Sequence, residues 1–360
     1  MKKTARMALV VGVASLALTA CGERGDSNDS AAEPSETTSS SSAPAESHPD
    51  FKACMVSDSG GFDDKSFNQT SHDGLLLAEE QYGVETGEIE SQSDAEYADN
   101  IQAMVKEGCK SITTVGFLLG DATEAAAKKN PDVDFSIIDF AYEKAPANLK
   151  GLTFDTAQPS YLAGYLAAAE SESGVVGTFG GLNIPTVTIF MQGFLEGIEA
   201  YNTENGTEVK LLGWDGKDGS FTEDFEDKSK GQTIGQQMIQ QGADVIFPVA
   251  GPAGLGGLQA AKDSGAARGV WVDTDGCVSA AEYCDILLTS VMKRMDVATS
   301  TAIKASIDGE FNNEPYVGTL ENDGVALAPY NEQDAEIDQE VKDKIEELKQ
   351  QIISGELKVG

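Results

Sequence analysis

The chain has 360 residues and a formal net charge of −35, from 60 acidic and 25 basic side chains. This excess of negative charge disfavours binding to nucleic acid and to anionic lipid surfaces. The only histidines are His48 and His72, so a metal site built on several histidines or a serine–histidine–aspartate triad is not expected. We therefore expect neither a metal nor a cofactor.

Residues 1–20 have the features of a lipoprotein signal peptide. A positively charged start is followed by an apolar run from 7 to 18, which is too short to cross a membrane. The run ends in LTAC, which resembles the bacterial lipobox and whose last residue is Cys21. Acyl chains on Cys21 would hold the mature protein at a membrane. The alternative is cleavage that leaves Cys21 unmodified.

Residues 21–50 are rich in Ser, Thr, Glu, Pro and Ala and contain almost no large apolar side chain. A segment of this composition cannot bury enough apolar surface to offset the entropy that it would lose on folding. We predict a disordered tether between the lipid and a folded body. The protein is then expected on the extracytoplasmic face of the cell membrane, anchored by lipid.

After the tether, short apolar runs alternate with longer helical patterns, which is typical of βαβ units. One series of strand–helix repeats covers about 53–154 and a second covers about 161–273. A strand near 286–289, a helix near 292–307 and a charged helix near 334–353 follow. The pattern predicts an α/β protein with two doubly wound, Rossmann-like domains.

Several predicted strands end in polar or glycine residues. In an open α/β sheet, ligands bind just outside the carboxyl ends of the strands, so these residues would line one crevice between the two domains. They are Asp58, Gly116, Asp139, Gly180, Gly181, Asp215, Gly251 and Asp275. The loop between Asp58, which ends the first strand, and Phe67, which begins a helix, is the first place to expect a pocket.

Ordered segments of the body resemble the basic membrane protein family of bacterial lipoproteins. The resemblance runs from about residue 53 to 330 and is carried by SDSGGFDDKSFNQ, ITTVGF, FSIID, FMQGFLEGI, QGADVIFPVAGPAGLG, VDTDG and LLTSVMKRMD. It implies a type I periplasmic-binding-protein fold, in which two domains joined by a hinge close on a ligand in a central cleft. It also implies the capture subunit of an ABC importer, with permease and ATPase partners and no enzymatic activity. We expect a monomer.

The resemblance also implies that the chain passes between the domains three times. On this basis we predict an N-terminal domain made of residues 51–157 and about 277–315. The C-terminal domain is then made of residues 158–276 and about 316–360. The hinge lies where these segments meet.

The resemblance further implies a nucleoside ligand, with a purine favoured. Phe67 matches the ring that stacks on one face of the base. Phe225 resembles the ring on the other face, although Phe221 in the same loop is a competing candidate. Asp139 would read the edge of the base, and Asn68 would add a contact. Base–aromatic stacking contributes roughly 1–3 kcal/mol per base.

A second group of residues resembles the family's contacts to the sugar. Asp58, Asp275, Lys293 and the backbone of Gly251 would bind the ribose hydroxyls, because vicinal hydroxyls pair well with carboxylates and with an ammonium group. Pro252 departs from the family pattern. Proline has no amide donor, so this part of the ribose contact set is expected to differ.

Two other functions are compatible with the sequence. The acids Asp58, Asp63 and Asp64 faintly echo the calcium-binding motif of nucleoside hydrolases, but Ser59 replaces the middle acid and calcium needs six or more oxygen ligands. The chain is also compatible with a ligand-sensing surface lipoprotein that has the same fold and no permease.

Apart from Cys21, the chain has four cysteines, which can pair in three ways in an oxidising compartment. In a sheet with strand order 2-1-3, the strands that carry Cys54 and follow Cys109 are parallel neighbours. Their starting ends lie side by side, within disulfide range. Cys277 and Cys284 flank a short loop. We predict the bridges Cys54–Cys109 and Cys277–Cys284; the alternative is free buried thiols.

Overall fold

The computed structural model describes residues 47–360. The predicted signal peptide, Cys21 and most of the predicted tether lie outside the described residues. The last part of the predicted tether packs on the body, because the His48 amide donates a hydrogen bond to the carbonyl of Tyr82 at 2.9 Å. Regular contacts therefore begin a few residues before the predicted boundary at residue 51.

The first lobe is built on a sheet of six parallel strands. In spatial order they are Tyr316–Gly318 (β11), Leu149–Phe154 (β5), Asp134–Ile138 (β4), Ser111–Val115 (β3), Lys52–Ser57 (β1) and Glu85–Glu90 (β2). The order β2-β1-β3 is the one on which the predicted Cys54–Cys109 pairing depended. The central strands are buried on both faces, which is why they read as continuous apolar runs in the sequence.

The second lobe repeats this arrangement with one antiparallel edge strand. Its order is Val325–Leu327 (β12), Leu287–Lys293 (β10), Arg268–Asp273 (β9), Val245–Val249 (β8), Val175–Gly180 (β6) and Lys210–Leu212 (β7). Only β12 runs antiparallel to its neighbour, β10. The two similar sheets confirm the prediction of two Rossmann-like α/β domains.

Helices cover both sheets. The first lobe carries Phe67–Tyr82 (α1), Tyr97–Lys106 (α2), Gly120–Lys129 (α3) and Met295–Asp308 (α9). The second lobe carries Ala157–Glu170 (α4), Pro185–Asn205 (α5), Lys228–Gln240 (α6), Gly251–Ser264 (α7), the short Gly276–Ser279 (α8) and Gln339–Ile353 (α10). The observed start of α1 at Phe67 agrees with the sequence prediction.

The chain crosses between the lobes after β5, after β10 and between β11 and β12. The first crossing lies next to the predicted boundary at 157. The second differs from the prediction, which assigned residues from 277 onward to the first domain. Strand β10 pairs with β9 in the second sheet, so the chain leaves the second lobe only after Lys293. The third crossing follows Gly318 rather than residue 315.

Both predicted disulfides are present. Cys54 and Cys109 are bonded across the starting ends of β1 and β3, with their Cα atoms 5.9 Å apart. Cys277 and Cys284 close a loop that includes α8, with a Cα separation of 4.6 Å. The first bridge lies at the end of the sheet opposite the strand ends that were predicted to bind ligand. Among residues 47–360, no helix is long and apolar enough to span a membrane.

Candidate functional site

A cleft between the two lobes lies at the carboxyl ends of the strands. It has a volume of about 640 Å³, including the part open to solvent. The first lobe contributes Asp58, Ser59, Asp64, Phe67, Asn68, Gly116, Phe117, Leu118 and Asp139. The second lobe contributes Ile184, Thr186, Val187, Phe190, Phe225, Val249, Gly251, Pro252, Val272, Asp273 and Lys293. Of the eight predicted ligand residues, the lining includes all except Asp275.

The loop before α1 is shaped by Asp64. Its Oδ1 accepts hydrogen bonds from the amides of Ser66 (2.9 Å) and Gln69 (3.0 Å), and its Oδ2 accepts one from the amide of Asn68 (2.9 Å). These bonds satisfy amides of the first turn, which have no partner within the helix. Asp64 therefore fixes where α1 begins, and with it the positions of Phe67 and Asn68 at the cleft.

Asp58 lies at the end of β1 and is 9% exposed. Burial raises the pKa of its carboxyl to about 8; the nearby side-chain amide of Asn68 opposes this rise, and the nearby charges of Asp64 and Asp139 add to it. Gly116 makes room for this carboxyl, because a Cβ atom at that position would lie 2.1 Å from Asp58 Oδ2. Gly116 also has a φ of +118°, a conformation that side chains rarely adopt.

Asn68 brings a buried amide to the same wall of the cleft. Its Nδ2 donates to the carbonyl of Ser59 at 3.1 Å. Its Oδ1 is buried and has no hydrogen-bond partner among residues 47–360. A buried acceptor without a partner is costly. A ligand that donates an N–H or O–H group to this oxygen would remove that cost.

Lys293, at the end of β10, carries the cationic group of the cleft lining. Its Nζ lies 2.6 Å from Asp139 Oδ2 of the first lobe and 3.4 Å from Asp273 Oδ1 of the second lobe, and its side chain is 3% exposed. Burial alone would lower the pKa of Lys293, but the two carboxylates outweigh it and hold the pKa above the usual value. Lys293 is therefore charged, and it links the two lobes.

Three aromatic rings surround the Lys293 ammonium. Its Nζ lies 4.6 Å from the ring centre of Phe67, 5.4 Å from that of Phe190 and 5.8 Å from that of Phe154. Cation–π attraction adds to the two ion pairs. Phe67 belongs to the first lobe and Phe190 to the second, so the ammonium lies where aromatic side chains from both lobes meet.

Of the two candidate second rings, Phe225 lines the cleft and Phe221 does not. Phe221 instead packs edge-on against Trp214, with ring centres 6.5 Å apart. The Phe225 carbonyl accepts a hydrogen bond from the Ala253 amide at 2.8 Å, which fixes its loop to the start of α7. Pro252 lies in the first turn of that helix, where a missing amide donor costs little.

Asp275 occupies a different position from the one predicted. Its Oδ1 accepts a hydrogen bond from the Cys277 amide at 2.9 Å and so caps the short helix α8; it also accepts one from Asn331 Nδ2 at 3.2 Å. Asp273, two residues earlier, ends β9 and lines the cleft. The carboxylate available to a ligand in this part of the second lobe is that of Asp273.

Other predicted strand-end residues also lie outside the lining. Asp215 accepts hydrogen bonds from the Lys217 and Asp218 amides of its own turn, at 3.0 and 2.7 Å. Gly180 and Gly181 lie beneath aromatic rings: a Cβ atom at Gly180 would meet Phe221, and one at Gly181 would meet Phe225. Both glycines therefore support the loop that presents Phe225 rather than the cleft surface.

The acids that echo the hydrolase motif do not converge on one point. Asp63 is exposed, and Asp64 uses its oxygens to accept three backbone amides. In the part of the chain that the structure describes, no group of three potential metal ligands is close enough to hold an ion. The loop geometry therefore gives no support to the calcium-dependent alternative.

Sequence reasoning missed several residues of the lining, chiefly Phe190, Asp273, Phe117 and Leu118. Asp273 could have been found, because it follows the buried run GVWV directly and thus marks a strand end. Phe190 lies in a long apolar helix, where the pattern indicates core packing. Phe190 also lines the cleft because α5 lies beside it, and the sequence pattern does not show this position.

Solved structures with this architecture define the class. An ABC transporter solute-binding protein from Aeropyrum pernix matches with a TM-score of 0.76 and 28% identity over 86% of this chain and 92% of its own. An arabinose-binding protein from Geobacillus stearothermophilus, at 13% identity and a TM-score of 0.58, shares the fold. The chain is an ABC transporter substrate-binding protein. Proteins of this class act outside the cytoplasm with a permease and an ATPase, and they bind solutes rather than transform them.

Sequence comparison identifies the family. Residues 51–360 match the Bmp family, described as PnrA-like ABC transporter substrate-binding proteins, and the chain belongs to that family. It is 31% identical to a CD4+ T-cell-stimulating antigen of Listeria innocua, over 99% of this chain and 98% of the relative. It is also 30% identical to a protein of Lactococcus lactis named ABC transporter nucleoside-binding protein BmpA, over 86% of this chain and 89% of the relative.

Proposed function

We propose that this protein captures a purine nucleoside in the cleft between its lobes and delivers it to an ABC importer. The observation that carries the proposal is the lining of one cleft by an aromatic ring from each lobe, Phe67 and Phe225, together with buried acidic groups and Lys293. A nucleoside has the complementary chemistry, because its base is flat and its sugar carries vicinal hydroxyls. The Lactococcus lactis relative is named for binding nucleosides.

The rings account for the faces of the base. Phe67 begins α1 and Phe225 precedes α6, so closure of the lobes brings a ring from each side towards the ligand. Each stacked ring contributes roughly 1–3 kcal/mol by analogy with base stacking on aromatic side chains. The additional ring, Phe190, is buried at the floor beside the Lys293 ammonium. It extends the apolar surface that a base can cover.

The polar groups account for the edge of the base and for the sugar. Asp139 uses Oδ2 to accept from Lys293, and its Oδ1 can accept an N–H of a purine. Asn68 Oδ1 is a second acceptor, buried in the same wall. We assign the ribose hydroxyls to Asp58 and Asp273, which line the cleft, and Lys293 can donate to a hydroxyl oxygen. The ligand therefore has to supply several N–H and O–H donors.

Mass spectrometry of small molecules released from the purified, denatured protein tests the ligand class without prior choice of ligand. We expect a purine nucleoside in stoichiometric amount when the protein is expressed in cells that contain nucleosides. A released amino acid or a free sugar would contradict the proposal. The control is a variant that carries both Phe67→Ala and Phe225→Ala and is expressed in parallel. It should retain much less of the same compound.

The sugar contact has a matched test in Asp273→Asn and Asp275→Asn. Each change removes one negative charge, and the two positions lie two residues apart, but only Asp273 lines the cleft. We expect Asp273→Asn to raise the dissociation constant for adenosine by roughly tenfold or more, because hydrogen bonds to a charged acceptor are among the stronger ones. Asp275→Asn keeps an oxygen that can cap α8 and should leave the affinity nearly unchanged. Calorimetric dissociation constants measure both effects, and a larger loss for Asp275→Asn would reverse the assignment.

We further propose that lipid on Cys21 anchors the mature protein. The proposal is supported by the LTAC sequence and by membership in a family of ABC transporter substrate-binding proteins. The His48 contact with Tyr82 places the end of the connecting segment at the C-terminal end of α1. Mass analysis of the mature N-terminal peptide checks the anchor: a peptide that begins with unmodified Cys21 would contradict it.

A further inference from the structure

The loop before α1 is joined to the second lobe by three direct hydrogen bonds between protein groups. Ser66 Oγ donates to Asp273 Oδ2 at 2.6 Å, Trp271 Nε1 donates to the Lys65 carbonyl at 3.3 Å, and Lys65 Nζ donates to the Ser279 carbonyl at 3.4 Å. We call these five residues the cross-lobe contact. Of the five, only Asp273 belongs to the cleft lining.

The cross-lobe contact is built at a cost in backbone conformation. Lys65 and Asp273 have φ values of 62° and 69°, in the left-handed region that side chains other than glycine seldom adopt. Residues held in such conformations persist where their surroundings determine them, and they concentrate at functional sites. Ser66 and Trp271 are fully buried, and the bond between Ser66 and Asp273 is shielded from water. Asp64 holds the loop from the first lobe by accepting the amides of Ser66 and Gln69.

The cross-lobe contact reaches the ligand site through two neighbours. Ser66 directly precedes Phe67, whose ring lines the cleft. Asp273 is the carboxylate assigned to the sugar, and its second oxygen faces Lys293 Nζ at 3.4 Å. The hydroxyl of Ser66 therefore orients a carboxylate of the opposite lobe and at the same time ties that lobe to the loop that carries the stacking ring.

We propose that Lys65 and Ser66 are positioning residues that hold the second lobe against the Phe67 loop and so set how slowly a bound ligand leaves. Opening of the lobes breaks the bond between Ser66 and Asp273, and a hydrogen bond to a charged acceptor is costlier to lose than a bond between neutral groups. This cost adds to the contacts that the ligand itself makes. The part of the proposal that concerns dissociation rests on the proposed function, whereas the part that concerns lobe closure does not.

The test compares Ser66→Ala with Ser136→Ala in the full chain. Ser136 is also buried, but its hydroxyl bonds with Thr113 inside the first lobe at 2.8 Å. We expect Ser66→Ala to raise the dissociation rate of adenosine in stopped-flow measurements by roughly tenfold or more. Its association rate should change far less. Ser136→Ala should leave both rates unchanged, and Ser66→Thr, which keeps the hydroxyl, should recover most of the slow dissociation.

Small-angle X-ray scattering of the same variants without nucleoside separates the two parts of the proposal. We expect a larger radius of gyration for Ser66→Ala than for the wild type and Ser136→Ala. If adenosine does not bind, the proposed function fails while scattering still reports on the contact. If Ser66→Ala does not fold, Lys65→Met, which removes only the bond to the Ser279 carbonyl, should show a smaller change in the same direction. The proposal would be overturned if the folded variants had the same radius of gyration and the same dissociation rate as the wild type.

Discussion

Lys293→Met is expected to destabilise the protein by about 3–5 kcal/mol, the cost of leaving buried partners of an ion pair uncompensated. Asp139 and Asp273 are both buried, and Lys293 Nζ lies within 3.4 Å of each. Methionine fills a similar volume but supplies no positive charge. The measurement is thermal and denaturant-induced unfolding at neutral pH without nucleoside, where contacts of the lysine with a ligand do not contribute.

Two control variants make this result specific. Lys304→Met removes an exposed lysine that pairs with Asp308 on the surface of α9, and its effect should stay within about 0.5 kcal/mol. Lys293→Met combined with Asp139→Asn and Asp273→Asn should recover much of the lost stability, because neutral amides are cheaper to bury than unpaired carboxylates. A Lys293→Met protein as stable as the wild type would show that the three charges are not buried together.

Asp58 is expected to make the stability of the nucleoside-free protein fall as the pH rises from about 4 to about 8. Burial raises the pKa of the folded carboxyl to about 8, whereas the ordinary value, which applies in the unfolded chain, is 3.8. Between these values the folded protein holds a proton that the unfolded chain has released. The favourable contribution of Asp58 to the free energy of unfolding is therefore complete below pH 3.8. It is lost by pH 8, at a rate of up to about 1.4 kcal/mol per pH unit.

The comparison of wild type with Asp58→Asn isolates this effect. Asparagine resembles the protonated acid in size and stays neutral, so the two proteins should have similar stability near pH 4. The wild type should become progressively less stable than Asp58→Asn towards pH 8. Melting temperatures of the two proteins, measured across this range, give the difference in stability. Asp64, whose pKa is raised to about 6 mainly by burial, is present in both proteins, so its own contribution cancels in this difference. Parallel curves for the two proteins would mean that Asp58 is ionised when buried.

The main architecture could be predicted because it depends on local patterns that repeat along the chain. Continuous apolar runs such as Ala53–Val56 indicate strands that are buried on both faces, and the predicted start of α1 at Phe67 is the observed one. Strands β11 and β12 were missed because each has only three residues. Such short strands are defined by pairing with a distant neighbour rather than by their own sequence.

The partition of the chain and one site residue depended on tertiary structure. Strand β10 carries Lys293 to the cleft from the second sheet, and no local feature near residue 277 says which sheet it joins. Asp273 and Asp275 lie two residues apart in VDTDG. The choice between them depends on where β9 ends, at Asp273 with its left-handed backbone conformation, and on where α8 begins, after the cap that Asp275 provides. The two candidate rings, Phe221 and Phe225, were likewise separated only by the fold of their loop.

Calorimetric titration of adenosine into ligand-stripped protein tests the central claim most directly. We predict binding of one nucleoside per protein. Phe225→Ala should weaken it by roughly tenfold or more, because a stacked ring contributes about 1–3 kcal/mol. Phe221→Ala, which removes a ring outside the cleft lining, should leave the affinity nearly unchanged. The absence of binding heat with adenosine, guanosine and inosine alike, in protein shown to be folded and free of ligand, would contradict the account.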